Sequence, residues 1–308
     1  MSKNVFLFSG QGSQYSGMGK ELYEAFPEVS DIFNTGSEIL GFDLAKICFD
    51  SSEEELSQTK FSQPAILAVS LAAFTAASLK GIPFEAVAGH SLGEYAAMCA
   101  CGMLSVPDVF KLIKARAAAM QKAAELSGGS MCAVVGLSAE EVEKGCAEID
   151  GYVTAVNFNS PSQTVIAGET SAIEKAAEYF SSKGARAIKL NVIAAFHSKL
   201  MQPAADEFYA ETKGTEFKAP TVKFYSNLTG GVLDDFSDMP KYLSSHIVSP
   251  VRFTSELSAM TSDGFDTFIE LGPNKVLTGL VKKTLKGATA LNIENTASLE
   301  KALLALSL

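Results

Sequence analysis

Apolar positions along this chain follow two rhythms. Short apolar runs stand at Val5–Phe8, Ala86–Ala88, Thr221–Tyr225, Thr267–Leu271 and Ala290–Ile293. Runs of this kind predict strands buried on both faces, as in a mainly parallel sheet. Stretches with helical spacing separate several of them, which is the order of an α/β protein. The longer apolar stretch Ala65–Leu79 is broken by Ser and Thr and predicts a buried helix, not a membrane span.

The middle of the chain changes pattern. After Ser127-Gly128-Gly129 comes a strand over Met131–Leu137, then a helix opened by a Ser138-x-x-Glu141 capping box. Strands at Val153–Phe158 and Thr164–Ala167 flank a turn at Asn159-Ser160-Pro161. A helix over Ser171–Lys183 and a strand over Arg186–Leu190 follow. The order βαββαβ is the ferredoxin-like unit. The expected architecture is therefore an α/β-hydrolase-like unit with a parallel sheet, formed by 1–128 and 197–308, carrying an inserted ferredoxin-like unit over 129–196.

The segment Gly89-His90-Ser91-Leu92-Gly93 contains Gly-x-Ser-x-Gly, preceded by an apolar strand and followed by the helix formers Glu94-Tyr95-Ala96-Ala97-Met98. A serine on such a strand-to-helix turn is exposed as a nucleophile, and the next backbone N–H can hold an oxyanion. The hydroxyl needs a base, and the chain has three histidines. His90 adjoins the serine, and neighbouring side chains on a sharp turn diverge. His197 lies where the chain leaves the inserted unit, and His246 precedes Ser249-Pro250 in a polar stretch. Spacing favours His197 over His246 only slightly.

Pro107 and Asp108 open a helix that reaches Leu126. Its apolar stripe is Val109, Leu112, Ile113 and Met120, and Arg116 falls within that stripe. A guanidinium facing a core must be paired. It either joins an internal ion pair or belongs to a snorkelling side chain, or else it is a clamp for a substrate carboxylate, which arginine binds through two parallel hydrogen bonds.

Composition narrows the classes. The chain has 308 residues, is 47% hydrophobic and carries a formal net charge of −10. That is enough chain for a large core, and the acidity argues against nonspecific nucleic-acid binding. An acidic protein partner would need a local basic patch, at Lys111 and Lys114 or at Lys282, Lys283 and Lys286. The five cysteines show no metal-ligand spacing and read as reduced thiols of a cytoplasmic protein. The first apolar run is too short for a signal peptide.

Taken together, these motifs resemble the malonyl-CoA:acyl carrier protein transacylase family over nearly the whole chain. Phe8-Ser9-Gly10-Gln11-Gly12-Ser13-Gln14 matches its opening loop, and Gly89-His90-Ser91-Leu92-Gly93-Glu94 its nucleophile motif. Phe61-Ser62-Gln63-Pro64-Ala65, Asn157-Phe158-Asn159-Ser160-Pro161, Phe196-His197-Ser198-x-Leu200-Met201 and Glu270-Leu271-Gly272-Pro273-Asn274-Lys275-Val276-Leu277 match further segments. Gly10-x-Gly12 lacks the third glycine of a nucleotide loop, since Tyr15 stands there.

The resemblance implies that Ser91 is the acylated nucleophile, His197 the general base and Arg116 the holder of the malonyl carboxylate. It implies an oxyanion hole from the N–H groups of Gln11 and Leu92, and places Gln63, Asn159 and Phe196 along the substrate path. Phe196 resembles malonyl-selective members, whereas those taking methylmalonyl usually carry serine. Relatives commonly have glutamine where this chain has His246; there the main-chain carbonyl orients the catalytic histidine, a role the substitution can keep. The implied partners are malonyl-CoA and acyl carrier protein. Coenzyme A thioester and phosphopantetheine act as substrates, with no resident cofactor or metal. A monomer without nucleic-acid or membrane partners is expected. A serine esterase or thioesterase, a non-catalytic carrier-docking module and a stand-alone polyketide acyltransferase are the competing readings. An α/β-hydrolase would place its histidine near the C-terminus, and none follows His246.

Overall fold

The computed structural model describes residues 3–192 and 194–308. Its strands are β1 (Asn4–Phe8), β2 (Ala86–Gly89), β3 (Ser130–Val135), β4 (Val153–Ser160), β5 (Gln163–Gly168), β6 (Arg186–Lys189), β7 (Lys223–Ser226), β8 (Gly231–Val232), β9 (Thr267–Leu271) and β10 (Thr289–Ile293). One sheet runs β10-β9-β1-β2-β7-β8 and is parallel up to the last, antiparallel pair. The second runs β4-β5-β3-β6 and is antiparallel throughout. Within its own unit that order is 2-3-1-4, the ferredoxin-like arrangement expected from βαββαβ.

The central strands of the parallel sheet are buried on both faces, which is why β1 and β2 read as unbroken apolar runs. Phe6 stacks on Phe84 at 4.5 Å between ring centroids, and Phe74 meets both edge-on. Helix Thr59–Leu79 is long and apolar enough to cross a membrane by length and composition. It is instead packed on helices Pro27–Leu40 and Val106–Ser127, with 78% of its apolar window buried. The capping box at Ser138 is present, with Glu141 and Ser138 exchanging hydrogen bonds. All five cysteines are unpaired.

Several sequence-predicted boundaries move by a residue or two, the strand expected over Met131–Leu137 ending at Val135 for example, and two of the shifts matter for the site. The strand expected over Thr221–Tyr225 is β7, displaced toward Ser226, because the Thr221 N–H is already bonded to the Cys101 carbonyl. Asn159 and Ser160, expected in a turn, end β4, and the chain reverses after Ser160. β4 slips register twice against β5, and within that irregular part it takes a partner in the other unit. The Phe158 N–H donates to the Val251 carbonyl (2.9 Å), and the Val251 N–H donates to Val156 (2.8 Å). The antiparallel sheet is thus tied through main chain to the segment that leads into helix Phe253–Ser262.

Candidate active site

Ser91 follows β2 where the chain turns into helix Gly93–Ala100. Its φ is 54°, a left-handed conformation that few non-glycine residues adopt. The flanking glycines are dictated by close approach. A Cβ on Gly89 would run into the Gly93 backbone, and one on Gly93 into the Phe8 carbonyl. The turn aims the hydroxyl into a cavity of about 450 Å³ between the two sheets. Its walls include Gln11, His90, Arg116 and Met120 on one side, Met131, Asn159 and Val165 on the other, and Phe196 and His197.

Ser91 Oγ lies 2.8 Å from His197 Nε2. His197 Nδ1 sits 3.0 Å from the carbonyl oxygens of both His246 and Ser249. Carbonyls only accept, so Nδ1 carries the proton and Nε2 keeps its lone pair for the serine hydroxyl. His197 itself has φ 62°, a second strained residue at the same site. No carboxylate touches this imidazole among the described residues. Burial first, then the Arg116 guanidinium and His90, lower its pKa from 6.5 to about 3, and the two carbonyls oppose that shift. His197 is therefore neutral at pH 7 and able to accept a proton.

Arg116 is 1% exposed, and its Nη2 donates to Ser91 Oγ at 3.0 Å. Its guanidinium stands 5.5 Å from the Tyr95 ring centroid. Its Nε has no hydrogen-bond partner among the described residues, although the atom is buried. Burial lowers its pKa, with Tyr95 and Glu94 opposing. A buried cation with an unsatisfied donor at a cavity wall calls for an anion from outside.

The other predicted residues distribute unevenly. Gln11 lines the cavity and Leu92 follows the nucleophile, and neither N–H has an acceptor among the described residues. Asn159 and Phe196 line the cavity, and Asn159 Oδ1 lies 2.8 Å from His90 Nε2 across the join between the sheets. That bond turns His90 away from the hydroxyl. Gln63, expected along the substrate path, stands one side chain behind the wall, with its amide Nε2 donating to Met120 Sδ at 3.5 Å. His246 meets His197 through its carbonyl, while its buried ring points elsewhere.

Sequence reasoning missed a polar cluster beneath the turn. Asn227, Glu94, Glu256, Tyr242 and the His246 ring are joined there by hydrogen bonds. Burial pushes the Glu94 carboxyl up to about 8 and Glu256 well above its usual range. The available signal was Glu94 itself, a carboxylate directly after the nucleophile motif, which reads as an ordinary helix former.

A pH prediction arises here. A neutral serine-directed fluorophosphonate should label Ser91 with an acid limb well below 6.5, because His197 stays unprotonated there. A limb at or above that value would remove His197 as the base. Stability should move oppositely to this resistance: the unfolded histidine takes a proton near 6.5 that the folded one refuses, so stability falls as pH drops below it.

Comparison with known proteins bears on this site. Residues 5–302 match the family model described as an acyl transferase domain. Malonyl CoA-acyl carrier protein transacylase of Bacillus subtilis (strain 168) is 38% identical over 307 residues, covering 98% of this chain and 97% of that protein. Among solved structures, malonyl CoA-acyl carrier protein transacylase from Clostridium perfringens ATCC 13124 superposes with a TM-score of 0.95 at 40% identity, covering 99% of this chain and 98% of that one. A malonyl-transacylase solved in complex with its type II PKS acyl-carrier protein is also similar, with a TM-score of 0.94 at 37% identity, covering 99% of this chain and 100% of that one.

Proposed function

The chain belongs to the acyl transferase family, among its malonyl CoA-acyl carrier protein transacylases, and from that premise we propose how its own residues carry malonyl from coenzyme A to the thiol of an acyl carrier protein. The observation that carries the reading is the convergence of Ser91 Oγ, His197 Nε2 and Arg116 Nη2 within 3.0 Å contacts at one cavity. Serine and histidine alone describe many acyl transfers. The buried, under-bonded guanidinium makes a carboxylate-bearing acyl group the fitting substrate.

In the first half-reaction His197 Nε2 takes the Ser91 proton as Oγ bonds to the thioester carbon. The N–H groups of Gln11 and Leu92 hold the oxyanion. The C–S bond then breaks, and the departing coenzyme A sulfur takes the proton from His197. The second half runs the same steps backwards, with the phosphopantetheine thiol of the carrier protein as nucleophile. Arg116 turns from Ser91 Oγ to the malonyl carboxylate once that group enters. A thioester replaces a thioester, so the exchange is nearly thermoneutral. Carbonyl partners at His197 Nδ1 stabilise an imidazolium less than a carboxylate would, which suits such a reversible transfer.

The catalytic unit is taken as 1–128 with 197–308, and 129–196 closes the cavity from the other side. Coenzyme A enters only as substrate thioester, and no resident cofactor takes part. The unpaired cysteines support a reducing, cytoplasmic setting, and malonyl supply for fatty acid synthesis is the role this chemistry serves.

Intact-protein mass spectrometry after mixing with malonyl-CoA tests the mechanism. One malonyl group should appear, map to Ser91, and leave upon addition of holo carrier protein faster than to water. Initial rates in both substrates should give parallel double-reciprocal lines. Intersecting lines with no trapped adduct would point to direct transfer without an acyl-enzyme.

A further inference from the structure

The polar cluster beneath the nucleophile has an ordered geometry. β2 pairs with β7 through Ala86↔Lys223 and Val87↔Phe224. Both strands then end, β2 in the Ser91 turn and β7 at Ser226. Asn227 stands directly after β7, fully buried, and its side-chain amide takes over where the main-chain ladder stops. Asn227 Nδ2 donates to the Gly89 carbonyl at 2.7 Å, and Asn227 Oδ1 accepts from the Ser91 N–H at 2.7 Å. These two backbone partners fix which end of the amide is oxygen. Turned over, it would set N–H against N–H and oxygen against oxygen.

The same Oδ1 lies 3.1 Å from His246 Nε2. An amide oxygen only accepts, so His246 carries its proton on Nε2. Burial lowers the His246 pKa well below its usual value, so the ring is neutral and its 3.8 Å approach to Glu94 is not an ion pair. The His246 carbonyl, in turn, accepts from His197 Nδ1. The contacts therefore close a ring: Ser91 Oγ to His197, His197 to His246, His246 to Asn227, and Asn227 back to the Ser91 N–H.

We propose that Asn227 is a positioning residue whose single side-chain oxygen couples the backbone of the nucleophile to the residue that holds the base. It touches no substrate. Its main-chain N–H donates to Glu94 Oε1 at 2.6 Å, and its second Nδ2 contact is Glu256 Oε1 at 2.7 Å, so two buried carboxyl groups grip it from the far side. Tyr242 braces Glu94 through both oxygens, at 3.0 and 2.9 Å. Ser91 and His197 both hold left-handed φ values, and a closed ring of bonds keeps two such strained residues in mutual register.

The inference rests on Ser91 and His197 being the acyl-transfer pair, and the test separates the two. Labelling of the native enzyme by a fluorophosphonate reports that pair. An unlabelled Ser91 in the native protein would remove the reading of the site itself, and the proposal with it. Given labelling, Asn227→Ala should slow it about tenfold or more, with kcat falling alike and KM for malonyl-CoA little changed. His246→Leu breaks the ring at the next link while leaving its backbone carbonyl, so it should slow labelling too. Adding Asn227→Ala to it should then cost little more. His246→Gln supplies an amide donor toward Asn227 and should recover most of what His246→Leu loses. Unfolding temperatures are read beside these rates. If Asn227→Ala lowers the unfolding temperature but labels at the native rate, or if the two losses multiply, Asn227 is scaffold and the coupling is refuted. Should Asn227→Ala not fold, the His246→Leu and His246→Gln pair decides: equal labelling rates refute the proposal.

Discussion

Replacing Ser91 with Ala is expected to cut malonyl transfer by on the order of 10⁴-fold or more and to eliminate the covalent adduct. The substitution deletes one oxygen, and on that oxygen His197 and Arg116 both converge. His197→Ala should lose activity to a similar order, and the double variant should be no worse than either alone. The hydroxyl and its base act as a unit, so removing one already idles the other. The backbone gives this prediction a second reading. Ser91 holds φ 54°, which costs a side-chain-bearing residue roughly 1–2 kcal/mol. Ser91→Gly should therefore be inactive yet more stable than the native chain, with a higher unfolding temperature. A Gly variant that melts lower would mean that the surrounding bonds, not strain, dominate the turn. Transfer is read by the malonylated carrier protein formed. Retention of more than about a hundredth of native activity by Ser91→Ala would show that another group carries the acyl chain.

How much of this was legible in the sequence depends on the range of the interaction. β1, β2 and β9 were readable because burial on both faces leaves a local trace in residue type, and the half-buried edge strand β10 still keeps the apolar run Ala290-Leu291 before Asn292 and Ile293. The helix Val106–Ser127 was readable too, with Pro107 and Asp108 in its first turn and Arg116 conspicuous in its stripe. The end of β4 was not, because its register slips twice before Ser160 pairs with Gln163, and where it slips Val156 and Phe158 bond to Val251, remote in sequence. Nor could spacing choose between His197 and His246. Both are buried and close together, with ring centroids 5.5 Å apart, and only the carbonyl contact assigns them different tasks. Asn227 left no trace at all. In Ser226-Asn227-Leu228-Thr229-Gly230 it reads as a turn former, and its work at Gly89 and Ser91 lies 138 and 136 positions away.

Arg116→Ala is expected to reverse acyl preference instead of abolishing chemistry. In the native site a malonyl carboxylate entering the cavity meets a guanidinium that is buried and has an unsatisfied Nε. Without that cation the carboxylate is desolvated and unpaired, and breaking a buried pair this way costs roughly 3–5 kcal/mol. Malonyl kcat/KM should fall by about 10²–10⁴. An acetyl group has no carboxylate to strand, and the nucleophile and base remain in place. Acetyl transfer should hold or rise, because the variant also removes a cation that depresses His197 and a donor that competes for Ser91 Oγ. Arg116→Lys divides the contributions. It restores charge without the two-pronged geometry, so malonyl transfer should fall between the native and Ala values. The deciding measurement is the ratio of malonyl to acetyl kcat/KM in the three proteins. A uniform loss on both acyl groups would assign Arg116 to holding the nucleophile, whereas a collapse of the malonyl value alone assigns it to the carboxylate.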